Sequence, residues 1–304
     1  MSTSELSRGT ARDIGAAGAR PLTRAPRGLS TRLLRSELRL VFGRRRNQAL
    51  LVALACVPVL IAVAIRIASG DGGGGGDDGG DGPAFIGQIA GNGLFVAFTA
   101  LVVTLPLFLP LAVSVAAGEA VAGEASIGTL RNLLVVPVSR TRLLVVKFAG
   151  IVAFGVAAAL TVAAAGVVIG LVLFPVGPVT LLSGGTLPVG AALLRVVLVA
   201  LYVAAMLAGL AAIGLFASTL TEVPIAAMAV TAITAVVVQI LGAVPQISAI
   251  HPYLLTHWWL RFGDLLRDPI VFGEMGRGLA VTAAYIAVFG ALAWARLGTK
   301  DVSS

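Results

Sequence analysis

Six long apolar stretches constrain the fold of this chain more than any other feature of its sequence. A helix needs about 20 apolar residues to cross roughly 30 Å of hydrocarbon, and each stretch is long enough for one crossing. The stretches cover residues 48–67, 93–117, 144–174, 191–218, 224–242 and 279–297. The sequence therefore predicts an all-α integral membrane protein with six transmembrane helices.

Composition supports this prediction. Hydrophobic residues make up 58% of the 304 residues and charged residues only 12%, whereas soluble domains have roughly 45 to 50% apolar and about 25% charged residues. The single cysteine, Cys56, excludes an internal disulfide framework. A secretory signal over Ala49–Ile65 is an alternative for the first stretch, but the further spans favour a retained helix.

The distribution of basic residues predicts the orientation. Eleven of the 22 basic residues lie in the first 46 positions, whereas the loop of residues 69–92 has no basic residue and four aspartates. Because basic loops stay in the cytoplasm, the N-terminus is predicted to be cytoplasmic. Alternation then places residues 118–143 and the C-terminus inside, and residues 175–190 outside. We expect a multi-pass protein of the cell membrane.

The segment before the first span divides into two parts. Residues 1–28 are predicted to be a disordered basic tail, and residues 29–47 an interfacial amphipathic helix that precedes the membrane domain of residues 48–304. Its arginines are expected to contact anionic lipid rather than nucleic acid, although an ordinary charged helix is an alternative. The predicted lipid-interface residues are Arg32, Arg35, Arg39, Arg44, Arg45 and Arg46.

A run of Gly and Asp, Asp71–Gly82, is predicted to be a flexible outer loop. It is not a phosphate-binding loop because no Gly-Lys-Ser/Thr follows it. A calcium-binding Gly-Asp repeat is a weaker alternative, since there is one irregular copy.

The predicted spans contain no acidic, lysine or histidine relay near the bilayer centre, and Arg66 and Arg195 are expected to reach the outer interface. A proton- or sodium-coupled transporter usually needs such a relay or an ion site at a broken helix. Energy for transport is therefore expected from outside the membrane.

An intramembrane enzyme would need a nucleophile with a base or a metal site. His251 and His257 are interpreted as interfacial packing residues rather than ligands, so no catalysis and no metal are expected. A passive channel or scaffold remains an alternative.

The loop Gly118–Gly150 contains the most informative local pattern. Its first half is predicted to form an amphipathic helix with Glu124 and Arg131 exposed, and Pro137 ends that helix. Ser139 is a candidate cap for the next helix. A solvated linker is the alternative.

This loop resembles the inner loop of ABC-2-type transporter permeases, which has a Glu, Gly-Thr-Leu, a Leu pair, Pro-Val-Ser-Arg and a Lys that enters the third helix. The matching residues are Glu124, Gly128, Thr129, Leu130, Leu133, Leu134, Pro137, Val138, Ser139, Arg140 and Lys147. His251-Pro252-Tyr253 before the sixth span and the closing stretch from Arg296 to Asp301 are weaker similarities.

The resemblance implies an all-helical permease that pairs with a second copy or a related permease and binds a separate cytosolic ATPase. The inner loop would then be the coupling element that docks on the ATPase. The implied coupling residues are Glu124, Gly128, Thr129, Leu130, Arg131, Pro137, Ser139 and Arg140. No cofactor is expected in this chain, since the partner would bind ATP and Mg²⁺. The apolar interior would suit export of an amphipathic or apolar solute, and short helices are expected over Pro245–Gly276.

Overall fold

A computed structural model describes residues 31–70, 92–126, 140–180, 184–270 and 272–299. Three predictions lie outside these residues: the basic tail of residues 1–28, the Gly/Asp run of residues 71–82 and most of the inner loop. The described part is almost entirely helical, as the sequence predicts.

The first two helices are separated by a single residue, Arg44. Helix α1 covers Thr31–Gly43, where the sequence predicts an amphipathic helix, and α2 covers Arg45–Gly70. The Asn47 side chain donates to the Val41 carbonyl at 2.8 Å, and Gln48 donates to the Phe42 carbonyl at 2.9 Å. These amides satisfy carbonyls that the end of α1 leaves without intrahelical partners. The junction is therefore fixed by residues of α2.

The second predicted span is broken into two helices. Helix α3 covers Phe95–Thr104, α4 covers Phe108–Ala120, and their axes differ by 57°. Pro110 lacks the N–H that would bond the carbonyl of Pro106, which leaves that carbonyl unbonded within the helix. The sequence indicates one crossing at 93–117, and the structure makes it a bent one.

The remaining long helices follow in chain order. Helix α5 covers Ala122–Ser126, and α6 covers Arg140–Leu173. A two-stranded antiparallel hairpin then pairs β1, Val179–Thr180, with β2, Thr186–Leu187. The chain continues into α7, Val189–Leu220, and α8, Pro224–Ala243.

Two 3₁₀ helices connect α8 to the last helix. They are η1, Pro245–Tyr253, and η2, Leu255–Leu266, and α9 covers Gly273–Thr299. Arg195 of α7 donates to the Leu265 carbonyl and, at 3.1 Å, to the Arg267 carbonyl. Arg195 thus binds the C-terminal end of η2, where unpaired carbonyls attract a cation. Its position at the outer membrane interface stays a prediction.

Helix α7 is the centre of the bundle. Its most apolar window is 78% buried, compared with 17 to 33% for the other four helices that are long and apolar enough to cross a membrane alone. It packs against α4, α6, α8, α9 and η2. The described part has five such helices, or six spans if the bent α3–α4 pair counts as one crossing. The outer helices expose large apolar side chains, as expected for faces that contact lipid or another subunit.

Candidate functional site: the two ends of the inner loop

Ser218 of α7 fixes the start of the inner loop. Its hydroxyl oxygen accepts hydrogen bonds from the N–H groups of Val121 at 3.0 Å and Ala122 at 2.9 Å, and the hydroxyl donates to the Gly118 carbonyl at 3.0 Å. One donor and two lone pairs are the full capacity of a hydroxyl. Ser218 is fully buried. The turn from α4 into α5 is therefore attached to the central helix of the bundle.

A buried ion cluster lies beside this turn. The Lys147 ammonium of α6 is 3.1 and 3.0 Å from the two carboxylate oxygens of Glu37 in α1, and it also contacts Glu124 in α5. Lys147 is only 2% exposed. An ammonium so far from water needs close carboxylates, because its desolvation costs several kcal/mol. The cluster joins α1, α5 and α6.

Glu124 is therefore not the exposed residue that the helical pattern predicts. It is 7% exposed and belongs to this ion cluster. The prediction was wrong because the pattern considers only α5 and its own periodicity. The position of Lys147, 23 residues later, decides which way Glu124 faces.

A second set of charges joins the α1–α2 junction to α4. Glu119 forms ion pairs with Arg44 and Arg46. These two arginines, predicted to lie among lipid headgroups, thus bind a carboxylate of the protein. The other four predicted interface residues have exposed side chains: Arg32, Arg35, Arg39 and Arg45. Lipid contact by the arginines stays a prediction.

Arg140 holds the other end of the loop to the last helix. Its guanidinium donates to the carbonyls of Leu297 and Gly298, both at 2.8 Å. The Trp294 indole also donates to the Thr141 hydroxyl at 3.0 Å. A cation at a helix C-terminus satisfies orphan carbonyls and the negative end of the dipole. The start of α6 and the end of α9 therefore lie together, as the predicted alternation requires.

Of the eight predicted coupling residues, the structure describes Glu124 and Arg140. The other six lie outside the described residues: Gly128, Thr129, Leu130, Arg131, Pro137 and Ser139. Each of the two described residues attaches one end of the loop to a different part of the bundle.

Sequence reasoning missed three contributors: Ser218, Glu37 and Glu119. Lys147 could have indicated the two glutamates, because a lysine inside an apolar stretch is unfavourable in free energy unless acidic groups pair with it. Ser218 offered none, since an isolated serine in an apolar helix normally bonds its own backbone.

The two histidines, one in η1 and one in η2, lie close to each other. The His251 and His257 rings are 6.2 Å apart, and the His251 ring contacts the Val244 carbonyl at 3.2 Å. Within the described ranges, no group of three His, Cys, Asp or Glu residues is placed to hold a metal ion. The arrangement at the inner loop can transmit displacement between helices, because buried ion pairs and hydrogen bonds resist separation.

Comparison with known proteins identifies a family. Residues 44–238 match the model of a family described as ABC-2 family transporter protein. The match covers more than half of the chain, from Arg44, just before α2, to the second half of α8. No curated protein matches the chain.

Proposed function

The chain belongs to the ABC-2 family of transporter proteins, and from that premise we propose that it is a permease subunit that exports an amphipathic or apolar solute with energy from a separate cytosolic ATPase. Membership makes the chain the membrane component of an ABC transporter. The cargo, the direction of transport and the ATPase partner are the proposed parts. A second permease copy, a lipid environment and location in the cell membrane with cytoplasmic termini belong to the same proposal.

The observation that carries the proposal is the attachment of the inner loop at both ends. Ser218 and the Lys147 cluster hold the entry of the loop, while Arg140 holds its exit. A simple linker has no need for a buried ion cluster at its base, since surface connections tolerate change. A loop that must transmit force needs such attachment, because a loose base would absorb the displacement.

The direction of force transfer follows from the helices involved. Displacement of α5 would pull on α7 through Ser218 and on α1 and α6 through Lys147. The exit of the loop would move the end of α9 through Arg140. A movement caused by ATPase closure would thereby be transmitted to the central helix α7 and to the first and last described helices, α1 and α9.

The test is reconstitution with a candidate cytosolic ATPase that carries a phosphate-binding loop. The purified chain alone should neither hydrolyse ATP nor move fluorescent amphiphiles against a gradient in proteoliposomes. Addition of the ATPase should produce both activities. Gradient-driven transport by the isolated chain would contradict the proposal and favour a secondary transporter.

A matched pair of arginine variants locates the contact. Arg131→Ala should weaken ATPase binding, because the loss of one partner of a desolvated charge pair costs about 2 to 5 kcal/mol. Arg277→Ala removes an equal charge from α9, where Arg277 is exposed and paired with Glu274, and should leave binding unchanged. If both variants bind the ATPase equally well, the loop is not the docking site.

A further inference from the structure

A cavity of about 230 Å³ lies between α6, α7 and α9, near the beginning of α6 and the end of α9. Its walls on α6 and α9 include Thr141, Val145, Phe148, Gly290 and Trp294. The side chains of Val145 and Trp294 belong to residues that are 46 and 56% exposed. The cavity therefore opens to the outer surface of the bundle, which faces lipid in a membrane protein.

The cavity has the depth of one membrane leaflet. Its lining extends on α6 from Thr141 to Phe148 and on α9 from Ile286 to Trp294, which is about 10 to 12 Å along a helix axis. The hydrocarbon of a bilayer is about 30 Å thick, so one leaflet supplies about 15 Å. The predicted orientation places the start of α6 and the end of α9 on the cytoplasmic side, and the cavity therefore lies in the cytoplasmic leaflet.

The lining favours hydrocarbon over a polar molecule. The Trp294 indole donates to the Thr141 hydroxyl at 3.0 Å, so the two polar side chains of the described lining bond each other. The other described lining residues are apolar or glycine. The volume is below the roughly 300 to 1,000 Å³ of clefts that enclose a whole small molecule. These properties match a segment of an acyl chain whose remainder lies in the bilayer.

Arg140 supplies a cation at the cytoplasmic end of this cavity. It precedes the lining residue Thr141, and its guanidinium donates to the carbonyls of Leu297 and Gly298, about one turn beyond Trp294. Both bonds use the Nη1 group, whereas a guanidinium has five N–H donors on three nitrogens. Arg140 is exposed. Its Nε and Nη2 groups therefore remain for an acceptor from outside the described part of the chain.

The charge around the cavity favours an anionic partner. Residues 140–148 and 286–299, which form the two outer walls, contain three arginines and no acidic residue. Arg296 in the last turn of α9 is exposed, as Arg140 is. A guanidinium matches the geometry of a phosphate group, and the cytoplasmic leaflet carries the anionic lipids of a cell membrane. A lipid with a net negative head therefore complements this end of the cavity better than a zwitterionic one.

We propose that this cavity binds an anionic phospholipid of the cytoplasmic leaflet, with one acyl chain beside Gly290 and the headgroup phosphate at Arg140. The proposal rests on the proposed function only in placing the chain in the cell membrane with a cytoplasmic C-terminus. Lipid binding is measured without an ATPase, so a failure of coupling and a failure of this site are distinguishable.

The experiment is photolabelling of the full chain in phosphatidylcholine nanodiscs with two lipid probes. Both probes carry the same diazirine-bearing acyl chain, and one has a phosphatidylglycerol head while the other has a phosphatidylcholine head. Labelled peptides are mapped by mass spectrometry. The phosphatidylglycerol probe should label residues 144–148 and 286–290 more strongly than the phosphatidylcholine probe.

A matched pair of glycine variants tests the position of the acyl chain. Gly290→Leu should abolish this labelling, because nothing lies within 4 Å of a Cβ at Gly290 and the new side chain would extend into the cavity. Gly276→Leu adds the same side chain to α9 at another position where nothing lies within 4 Å of a Cβ. It is far from the cavity along the helix and should label like wild type.

Two arginine variants test the position of the headgroup. Arg140→Gln should lower labelling by the phosphatidylglycerol probe about fivefold, the effect of one arginine near an anionic surface, and should change labelling by the phosphatidylcholine probe less. Arg140→Lys keeps the charge and should retain most of the preference for phosphatidylglycerol. The Gly290 and Gly276 variants still test the site if Arg140→Gln fails to fold.

Four results would each overturn the proposal. They are equal labelling of wild type by the two probes, labelling of Gly290→Leu at the level of wild type, an undiminished phosphatidylglycerol preference in Arg140→Gln, and no labelling of these residues by either probe. The last result is the one that a second copy covering the cavity would produce.

Discussion

At the scale of the residue, Lys147 is a buried cation whose stability depends on two carboxylates. It is 2% exposed and holds two carboxylates, Glu37 and Glu124, from two other helices. Lys147→Met would remove the cation that both acids bind, and removal of one partner from a buried ion pair costs roughly 3 to 5 kcal/mol. We expect a clear fall in the midpoint of thermal unfolding of the purified protein in detergent.

Arg277→Ala is the control for this prediction. Arg277 pairs with Glu274 at 2.9 Å, but its side chain is 73% exposed, and exposed pairs contribute less than about 1 kcal/mol. Its unfolding midpoint should stay near that of wild type. Equal midpoints for Lys147→Met and Arg277→Ala would show that the cluster does not stabilise the fold.

At the scale of the element, α4 and α8 approach each other through Gly118. A Cβ atom at Gly118 would lie 2.5 Å from Met228 Cγ and 2.8 Å from the Met228 backbone nitrogen. The side chain could rotate away, but the backbone could not, so the helices would have to separate. Gly118→Ala should lower stability by about 1 to 3 kcal/mol, as expected for overpacking, measured by the same thermal unfolding.

Gly118→Ala should also disturb the inner loop, because the Gly118 carbonyl accepts from Ser218. Stimulation of the ATPase should fall along with stability. Gly190→Ala is the matched control, since nothing lies within 4 Å of a Cβ at Gly190 in α7, and alanine favours helix. If both variants have the same unfolding midpoint and the same ATPase stimulation, the close approach of α4 and α8 does not contribute to stability or coupling.

At the scale of the whole molecule, the 34 residues of α6 separate the inner loop from the β hairpin by about 50 Å. The two ends must therefore lie on opposite sides of a bilayer. In a Cys56→Ser background, Thr186→Cys should react with an impermeant thiol reagent in intact cells. Ser126→Cys should react only after permeabilisation, and both positions are exposed.

The Cys56→Ser protein has no cysteine and is the control that measures unspecific labelling. Reaction of Ser126→Cys in intact cells would reverse the orientation predicted from the basic residues. The inner loop would then lie on the side without ATP, and the proposed coupling would fail with it. Labelling at both positions in intact cells would instead indicate a mixed topology.

The sequence by itself determined the all-α membrane fold, the approximate spans and the family. Spans can be predicted because insertion depends on the summed hydropathy of contiguous residues, which neighbouring helices do not alter. The inner-loop resemblance is equally local, since it lies within about 25 consecutive residues. Even the break in the second span had a local cause in Pro106 and Pro110, although the size of the bend did not follow from them.

Only the tertiary structure decided how the candidate site is assembled. Ser218 bonds groups about 100 positions away, Arg140 bonds carbonyls more than 150 positions away, and Lys147 meets Glu37 across 110 positions. Which polar groups meet depends on how whole helices rotate and pack, and many sequences share one hydropathy pattern while differing in these rotations. The prediction that Glu124 is exposed was wrong for this reason: Glu124 pairs with a lysine of another helix and is buried there.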